Sequence, residues 1–231
     1  MKNPWLTDFL ALFYPNYCYA CGRKLSKNRS CICPECELHL PRTDYHRYSP
    51  NPMEQLFWGR VPVEAAAAYL YFKKGGSVQS LVHALKYKDR PEIGRYFGRL
   101  LGELLRVHAV FNQAEALVPV PLHPRKQRLR GYNQSEEIAG GMREAMGIPV
   151  WTHVLVRQTT TDTQTKRSAY QRWENVHSAF AVPVPSALEG RHVILVDDVV
   201  TTGSTMEAAA QSLVAVPGVR VSMAALAMDV L

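Results

Sequence analysis

The chain has 231 residues, of which 47% are hydrophobic and 20% charged, and this suits one α/β domain with a small additional module. Basic residues outnumber acidic ones by 27 to 20, so the net charge of +7 favours phosphate-bearing partners, either metabolites or nucleic acid. No run approaches the roughly 20 apolar residues of a membrane-spanning helix, which excludes that class, and we expect a cytoplasmic protein.

Residues 1–44 predict an N-terminal helix followed by a cysteine module. The apolar stretch at residues 1–14 is short and lacks a cationic leader and a cleavage site, so a docking helix is favoured over a signal peptide. All five cysteines lie between Pro15 and Pro41, in a segment too small for a core of its own. Five cysteines cannot all pair, and this pattern indicates metal-bound thiolates in a reducing compartment rather than disulfides.

Two CxxC pairs within this module predict a structural zinc site. Each pair can place two thiolates on one ion, and two pairs complete a tetrahedral set of ligands. Gly22 suits the tight turn of such a knuckle. Cys31 is close enough in sequence to compete as a ligand, and a redox dithiol pair is the alternative interpretation. The predicted ligands are Cys18, Cys21, Cys33 and Cys36.

Residues 45–62 are rich in Pro, Asn and Tyr and are interpreted as a linker to a domain that spans residues 63–231. In that domain the apolar periodicity predicts strands alternating with helices, which indicates a mostly parallel sheet flanked by helices. The predicted strands are 64–72 (with a helix as the alternative), 116–122, 150–156, 193–196 and 219–227, and the predicted helices are 77–88, 92–111, 135–146 and 205–214.

The run from Val193 to Thr205 carries the strongest chemical signal. Its buried strand delivers Asp197 and Asp198 to the carboxyl edge of the sheet, where open α/β sheets bind ligands. Ionised carboxylates accept hydrogen bonds from ribose hydroxyls, and N–H groups at the start of the next helix form a phosphate cradle. The run therefore predicts a sugar 5-phosphate site; the alternative is a generic turn that binds Mg²⁺ or caps a helix. The predicted cradle residues are Thr201, Thr202, Gly203, Ser204 and Thr205.

A basic run follows the predicted strand at 116–122 and ends at Gly131. It is predicted to be a loop beside a second strand end, where a pyrophosphate would need concentrated positive charge. Arginine offers bidentate donors to phosphate oxygens and stays charged at any working pH. Pyrophosphate binding is therefore favoured over a solvated surface loop. The basic residues are Arg125, Lys126, Arg128 and Arg130.

The thirteen residues from Val193 to Thr205 resemble the phosphoribosyl-pyrophosphate signature of type I phosphoribosyltransferases. Together with the basic run, with Thr163-Gln164-Thr165 and with Ala179-Phe180, they make nearly the whole chain resemble the ComF family of competence-related proteins. One departure is His177-Ser178, where relatives often have Lys-Gly. The resemblance implies a type I phosphoribosyltransferase-like fold with a small N-terminal zinc module.

For function, the resemblance implies that phosphoribosyl pyrophosphate binds with Mg²⁺, that Asp197 and Asp198 are catalytic, and that the protein acts in DNA uptake. Residues 158–175 are the expected mobile loop over the substrate, with a disordered insertion as the alternative. The chain would then be a phosphoribosyltransferase of unknown acceptor. The alternative is a non-catalytic competence protein that binds single-stranded DNA or senses the sugar phosphate, together with other competence proteins. The loop residues expected to contact the ligand are Gln164, Lys166 and Arg172.

Overall fold

A computed structural model describes residues 16–26, 31–158 and 179–229. The helix predicted at 1–14 and most of the predicted mobile loop, with Gln164, Lys166 and Arg172, lie outside these residues. The helices of four or more residues in the described part are α1 (Pro34–Leu38), α2 (Pro52–Leu56), α3 (Ser77–Tyr87), α4 (Pro91–Leu105), α5 (Pro124–Arg130), α6 (Gln134–Met146) and α7 (Ser204–Val214). The strands are β1 (Ala66–Phe72), β2 (Ala116–Pro119), β3 (Val156–Arg157), β4 (Phe180–Ala181), β5 (His192–Val200) and β6 (Arg220–Asp229).

Four parallel strands form the main sheet, in the order β1-β6-β5-β2. β5 lies between its two partners, with Val193 opposite Val221 of β6 and Ala116 of β2. Strands buried on both faces need continuous apolar runs, and residues 193–196 and 223–227 are indeed almost fully buried. The predicted mostly parallel sheet flanked by helices is therefore confirmed. None of the helices in the described ranges is long and apolar enough to cross a membrane.

Helices α4 and α6 pack backbone to backbone, and glycines make this approach possible. A Cβ on Gly98 would lie 2.1 Å from the carbonyl oxygen of Ile138, and one on Gly141 would lie 2.1 Å from that of Arg95. Only residues without a Cβ fit such a contact. α6 also packs on β2 and β5, so this pairing fixes the N-terminus of α6 near the carboxyl edge of the sheet.

The segment 45–62 is more ordered than the composition of a linker predicts. It contains a 3₁₀ turn and α2, and the side chains of Tyr45, Met53 and Phe57 are buried. Asn51 caps α2 through its side-chain oxygen, while its Nδ2 donates to the carbonyl oxygen of Ala66 in β1 at 2.8 Å. These apolar and polar contacts join the segment to the core of the sheet domain.

Three secondary-structure predictions differ from the structure. The basic run is the helix α5 rather than a loop, because Pro124 occupies its first turn, His123 caps its N-terminus, and Gly131 ends it at a φ of 80°. In the predicted strand 150–156, Val150 forms only a bridge to Leu117, and the chain bends until the short strand β3. The helix predicted at 92–111 ends earlier, at Leu105.

Candidate functional site

The two aspartates that the sequence singled out, here called the acid pair (Asp197 and Asp198), lie near the end of β5. Asp198 is buried, and its Oδ1 is 2.9 Å from Nζ of Lys86, on the last turn of α3. Oδ1 of Asp197 accepts hydrogen bonds from Oγ of Ser135, at 3.0 Å, and from the backbone N–H of Asp198, at 2.8 Å. Helices α3 and α6 therefore converge on the acid pair.

The environment of Asp197 favours a protonated carboxyl. Burial among protein atoms, and after it the negative charge of Asp198, raise the pKa of Asp197 to about 7. The hydrogen bonds from the Asp198 amide and from Ser135, and the charge of Lys86, act in the opposite direction but do not outweigh these causes. The protonation state of Asp197 thus changes near neutral pH, and a hydrogen-bond donor that enters the site would favour the ionised form.

The phosphate loop, defined as residues 201–205, follows β5 directly and leads into α7. Gly203 precedes the first helical residue with a left-handed φ of 77°, and Thr202 Oγ1 and Ser204 Oγ lie 3.0 Å apart. Asp197 and residues 199–206 surround a cavity of about 40 Å³, which is larger than the roughly 10–15 Å³ that one water needs. The unpaired N–H groups of the first turn of α7 make this cavity a suitable anion cradle.

The four basic residues of α5 divide into two groups. Arg130 is half-buried; its guanidinium lies over the ring of Tyr87 at 5.1 Å and donates to Oε1 of Gln134 at 2.7 Å. Tyr87 is the last residue of α3, so this contact places Arg130 at the C-terminal end of the helix that carries Lys86. The side chains of Arg125, Lys126 and Arg128 are exposed, and among the described contacts none joins them to Asp197 or Asp198.

A second cavity, of about 360 Å³, lies beside the acid pair between α3 and the end of β5. It shares Val199 and Thr201 with the lining of the 40 Å³ cavity and is otherwise built by residues that precede β2 in the chain. A larger groove of about 550 Å³ borders Trp58 and Glu64 but includes no residue of the acid pair or of the phosphate loop. The remaining residues of the 360 Å³ cavity are Phe72, Gln79, Val82, His83, Lys86 and Tyr87.

Three residues near this edge of the sheet are absent from the sequence prediction: Lys86, Ser135 and Arg60. Lys86 belongs to a predicted helix whose end gives no sign of its partner in β5. Ser135 could be anticipated only as a residue at the start of α6. Arg60, whose Nη1 donates to the carbonyl oxygen of Thr202 at 3.0 Å, lies in the predicted linker. The contacts of these three residues join segments remote in sequence, so a local sequence pattern cannot predict them.

The cysteine module (residues 16–26 and 31–41) brings four thiols together. The sulfur atoms of the two CxxC pairs all lie within 4.8 Å of one another, and Cys31 is not part of this group. The N–H of Cys33 donates to Sγ of Cys18, and Gly22 takes a φ of 75° in the first knuckle. Four soft sulfur ligands and no other side chain suit a structural zinc site that is closed to substrate. The group consists of Cys18, Cys21, Cys33 and Cys36.

Several known proteins are similar to this chain in sequence. Residues 147–229 match the family model of the phosphoribosyl transferase domain. The DNA utilization protein YhgH of Escherichia coli (strain K12) is 33% identical over 221 residues, which cover 90% of this chain and 89% of that protein. Competence protein ComFC of Bacillus subtilis is 27% identical over 214 residues, covering 90% and 82%. Competence protein F of Haemophilus influenzae is 35% identical over 131 residues, covering 54% and 57%.

Proposed function

The chain belongs to the ComF family, and we propose that its acid pair and phosphate loop bind phosphoribosyl pyrophosphate together with Mg²⁺. The observation that carries this proposal is the position of Asp197 and the phosphate loop around one cavity at the carboxyl edge of a parallel sheet. The names of the relatives, DNA utilization protein and competence protein, support a role in DNA uptake during natural transformation. We propose the cytoplasm as its location.

In the proposed complex the 5-phosphate accepts hydrogen bonds from the N–H groups and hydroxyls of the phosphate loop. The ribose hydroxyls donate to Asp197 and Asp198, and Lys86 is released from Asp198 or shared with the ligand. Arg130 supplies positive charge toward the pyrophosphate, and Gln164, Lys166 and Arg172 remain candidates for the same role. Arg125, Lys126 and Arg128, whose side chains are exposed in this structure, also remain candidates for this role.

The residues present fit Mg²⁺ and zinc at different places. Carboxylate and ligand oxygens suit Mg²⁺, whose charge would neutralise the pyrophosphate as it leaves the anomeric carbon. Thiolates suit Zn²⁺, and hydrogen bonds from Arg23 already lower the pKa of the exposed Cys21 thiol to about 6. We propose zinc as a structural ion of the cysteine module and Mg²⁺ as a companion of the sugar substrate.

As an enzyme, the protein would transfer the phosphoribosyl group to an acceptor. The 360 Å³ cavity between α3 and β5 is the candidate acceptor pocket, because it adjoins both the acid pair and the phosphate loop. Its lining is mainly apolar, with Gln79 and His83 as polar groups that could orient a ligand.

Calorimetric titration with phosphoribosyl pyrophosphate, in the presence and absence of Mg²⁺, tests the binding proposal. Replacing the acid pair by Asp197→Asn and Asp198→Asn should weaken binding by at least about 30-fold, since each charge-assisted hydrogen bond is worth about 1.5–3 kcal/mol. Glu189→Gln, an exposed carboxylate before the opposite end of β5, is the matched control. Unchanged affinity in the double variant would contradict the placement of the ribose. Pyrophosphate release with candidate acceptors then tests turnover.

The second candidate function is the binding of single-stranded DNA without catalysis. The observation in its favour is the exposed basic face of α5 next to Tyr87, an exposed ring on which a base can stack. The logarithm of the affinity should fall linearly with the logarithm of the salt concentration, with a slope set by the number of phosphates contacted. Arg125→Gln with Arg128→Gln should reduce that slope by about 2, and Arg220→Gln, at the start of β6, should leave it unchanged.

A further inference from the structure

We propose that Arg60 is the residue that positions the phosphate loop, an inference that rests on the proposed sugar-phosphate site. Arg60 lies in the turn after α2, remote in sequence from the loop. Its Nη1 donates to the carbonyl oxygens of Leu56, at 3.1 Å, and Thr202, at 3.0 Å. Its Nη2 donates to Oε2 of Glu207, in the first turn of α7. One guanidinium therefore joins the turn, the loop and the helix.

The hydrogen bond to Thr202 fixes the orientation of the peptide between Thr202 and Gly203. In a planar trans peptide the carbonyl oxygen and the following N–H point in opposite directions. Arg60 is not among the residues that line the 40 Å³ cavity, and because it holds the Thr202 oxygen, the Gly203 N–H is directed away from Arg60. If the peptide rotated, a carbonyl oxygen would replace a donor and would repel an anion in the cavity.

Apolar packing supports the loop on the side of Arg60. A Cβ at Gly203 would lie 3.0 Å from Cδ2 of Leu56 and 3.0 Å from Cε1 of Phe57, so these two side chains form a wall against the loop backbone. The guanidinium of Arg60 lies 6.0 Å from the centre of the Phe57 ring. The loop backbone therefore has little room to move toward this wall, and Arg60 supplies the polar contact there.

The contact requires an arginine. Its planar fork can donate to two carbonyl oxygens and one carboxylate at once, while a lysine offers a single charged nitrogen on a flexible stem. The side chains of Arg60 and Glu207 are 31% and 22% exposed, so solvent competes only in part with these hydrogen bonds. We therefore assign to the segment 52–62 the role of a support that keeps the phosphate loop ready for an anion.

Ribose 5-phosphate is the probe for the test, with calorimetry for affinity and ¹H–¹⁵N spectra for the Gly203 amide. Arg60→Met should weaken the binding of ribose 5-phosphate about tenfold and abolish the shift of the Gly203 amide signal on ligand addition. Arg60→Lys should give an intermediate affinity. Glu207→Gln keeps both hydrogen bonds of Arg60 to carbonyl oxygens and should stay within about twofold of the wild-type affinity.

The possible results lead to different conclusions. An unchanged affinity and an unchanged Gly203 response in Arg60→Met would overturn the role of Arg60 and leave the proposed function intact. If the wild-type protein shows no response to ribose 5-phosphate, the proposed sugar-phosphate site itself fails. If Arg60→Met does not fold in a thermal unfolding assay, Arg60→Lys decides: wild-type affinity contradicts the proposal, and weaker binding with a reduced Gly203 response supports it.

Discussion

The cysteine module and the sheet domain are held together by different forces. The module buries only a few aliphatic side chains, among them Leu25, Ile32 and Leu40, and its four thiols face one another. The sheet domain buries two central strands almost completely and packs α4 on α6 without room for a methyl group. We therefore expect the small segment to depend on a metal ion for its fold, while the large one depends on apolar burial.

Polar contacts join the two regions, beside apolar side chains of the module that pack into the core of the sheet domain. Tyr96 on α4 donates to Oε1 of Glu37 at 2.5 Å, and Tyr19 donates to Oε1 of Glu92 at 3.2 Å. The guanidinium of Arg90 lies over the ring of Tyr19 at 5.6 Å, and burial, followed by the charge of Glu92, raises the pKa of Tyr19 to about 12. These directed contacts attach the module to α4. Because the four thiols all lie within the module, we expect damage to the thiol group to affect the module more than the sheet domain.

Metal removal should have the largest effect on stability and should unfold only the cysteine module. Cys21→Ser, or treatment with a strong chelator, should abolish hydrogen-exchange protection in the module, because a structural zinc site contributes on the order of 10 kcal/mol. Protection of β5 and β6 should persist. Cys31→Ala is the control, because Cys31 lies outside the four-sulfur group and its variant should keep one equivalent of metal. Simultaneous loss of protection in the sheet would contradict the separation of the two regions.

Disrupting the contact between α4 and α6 should destabilise the sheet domain and leave the cysteine module folded. Gly98→Ala places a methyl group against the carbonyl oxygen of Ile138 and should lower the free energy of unfolding of the sheet domain by about 3 kcal/mol. Gly140→Ala, which meets open space on α6, should raise it by about 0.5–1 kcal/mol. Chemical denaturation measures both, and equal effects of the two substitutions would exclude a close helix contact.

We expect the acid pair to destabilise the sheet domain, by an amount that grows as pH rises. Because the pKa of Asp197 is raised from 3.8 to about 7, the folded state holds its proton more tightly, so the free energy of unfolding falls as pH rises from about 4 to about 7. Asp197→Asn should therefore stabilise the protein by up to about 4 kcal/mol at pH 8 and very little at pH 4. Denaturation at both pH values measures the difference. An equal gain at both would show that the charge is not its cause.

The smallest effect is expected at the joint. Tyr96→Phe removes one hydrogen bond to Glu37 and should cost about 1 kcal/mol, since the ring and its packing remain. The loss should appear as faster hydrogen exchange where the module meets α4, with metal content unchanged. A loss as large as that caused by Cys21→Ser would mean that docking, rather than the metal, folds the module.

Local features of the site could be predicted because short stretches of sequence encode them. The apolar run at 193–196, the acid pair and the small residues of the phosphate loop follow one another in the chain, and the strand, loop and helix appear in that order. The two CxxC pairs likewise bring their own ligands close together. β5 is longer than the predicted strand 193–196, because it continues through the acid pair to Val200.

The sequence by itself thus determined the fold class, the cysteine group and the position of the phosphate loop, because apolar periodicity and turn residues act over a few neighbours. Tertiary structure alone decided that Lys86 pairs with Asp198 and that Arg60 donates a hydrogen bond to Thr202. It also decided which of the four basic residues of α5 contacts Tyr87, namely Arg130. These contacts join segments remote in sequence, and they exist only once the helices and the segment 45–62 have packed around the sheet. Local sequence patterns do not predict such contacts, because the contacts depend on how distant segments pack against one another.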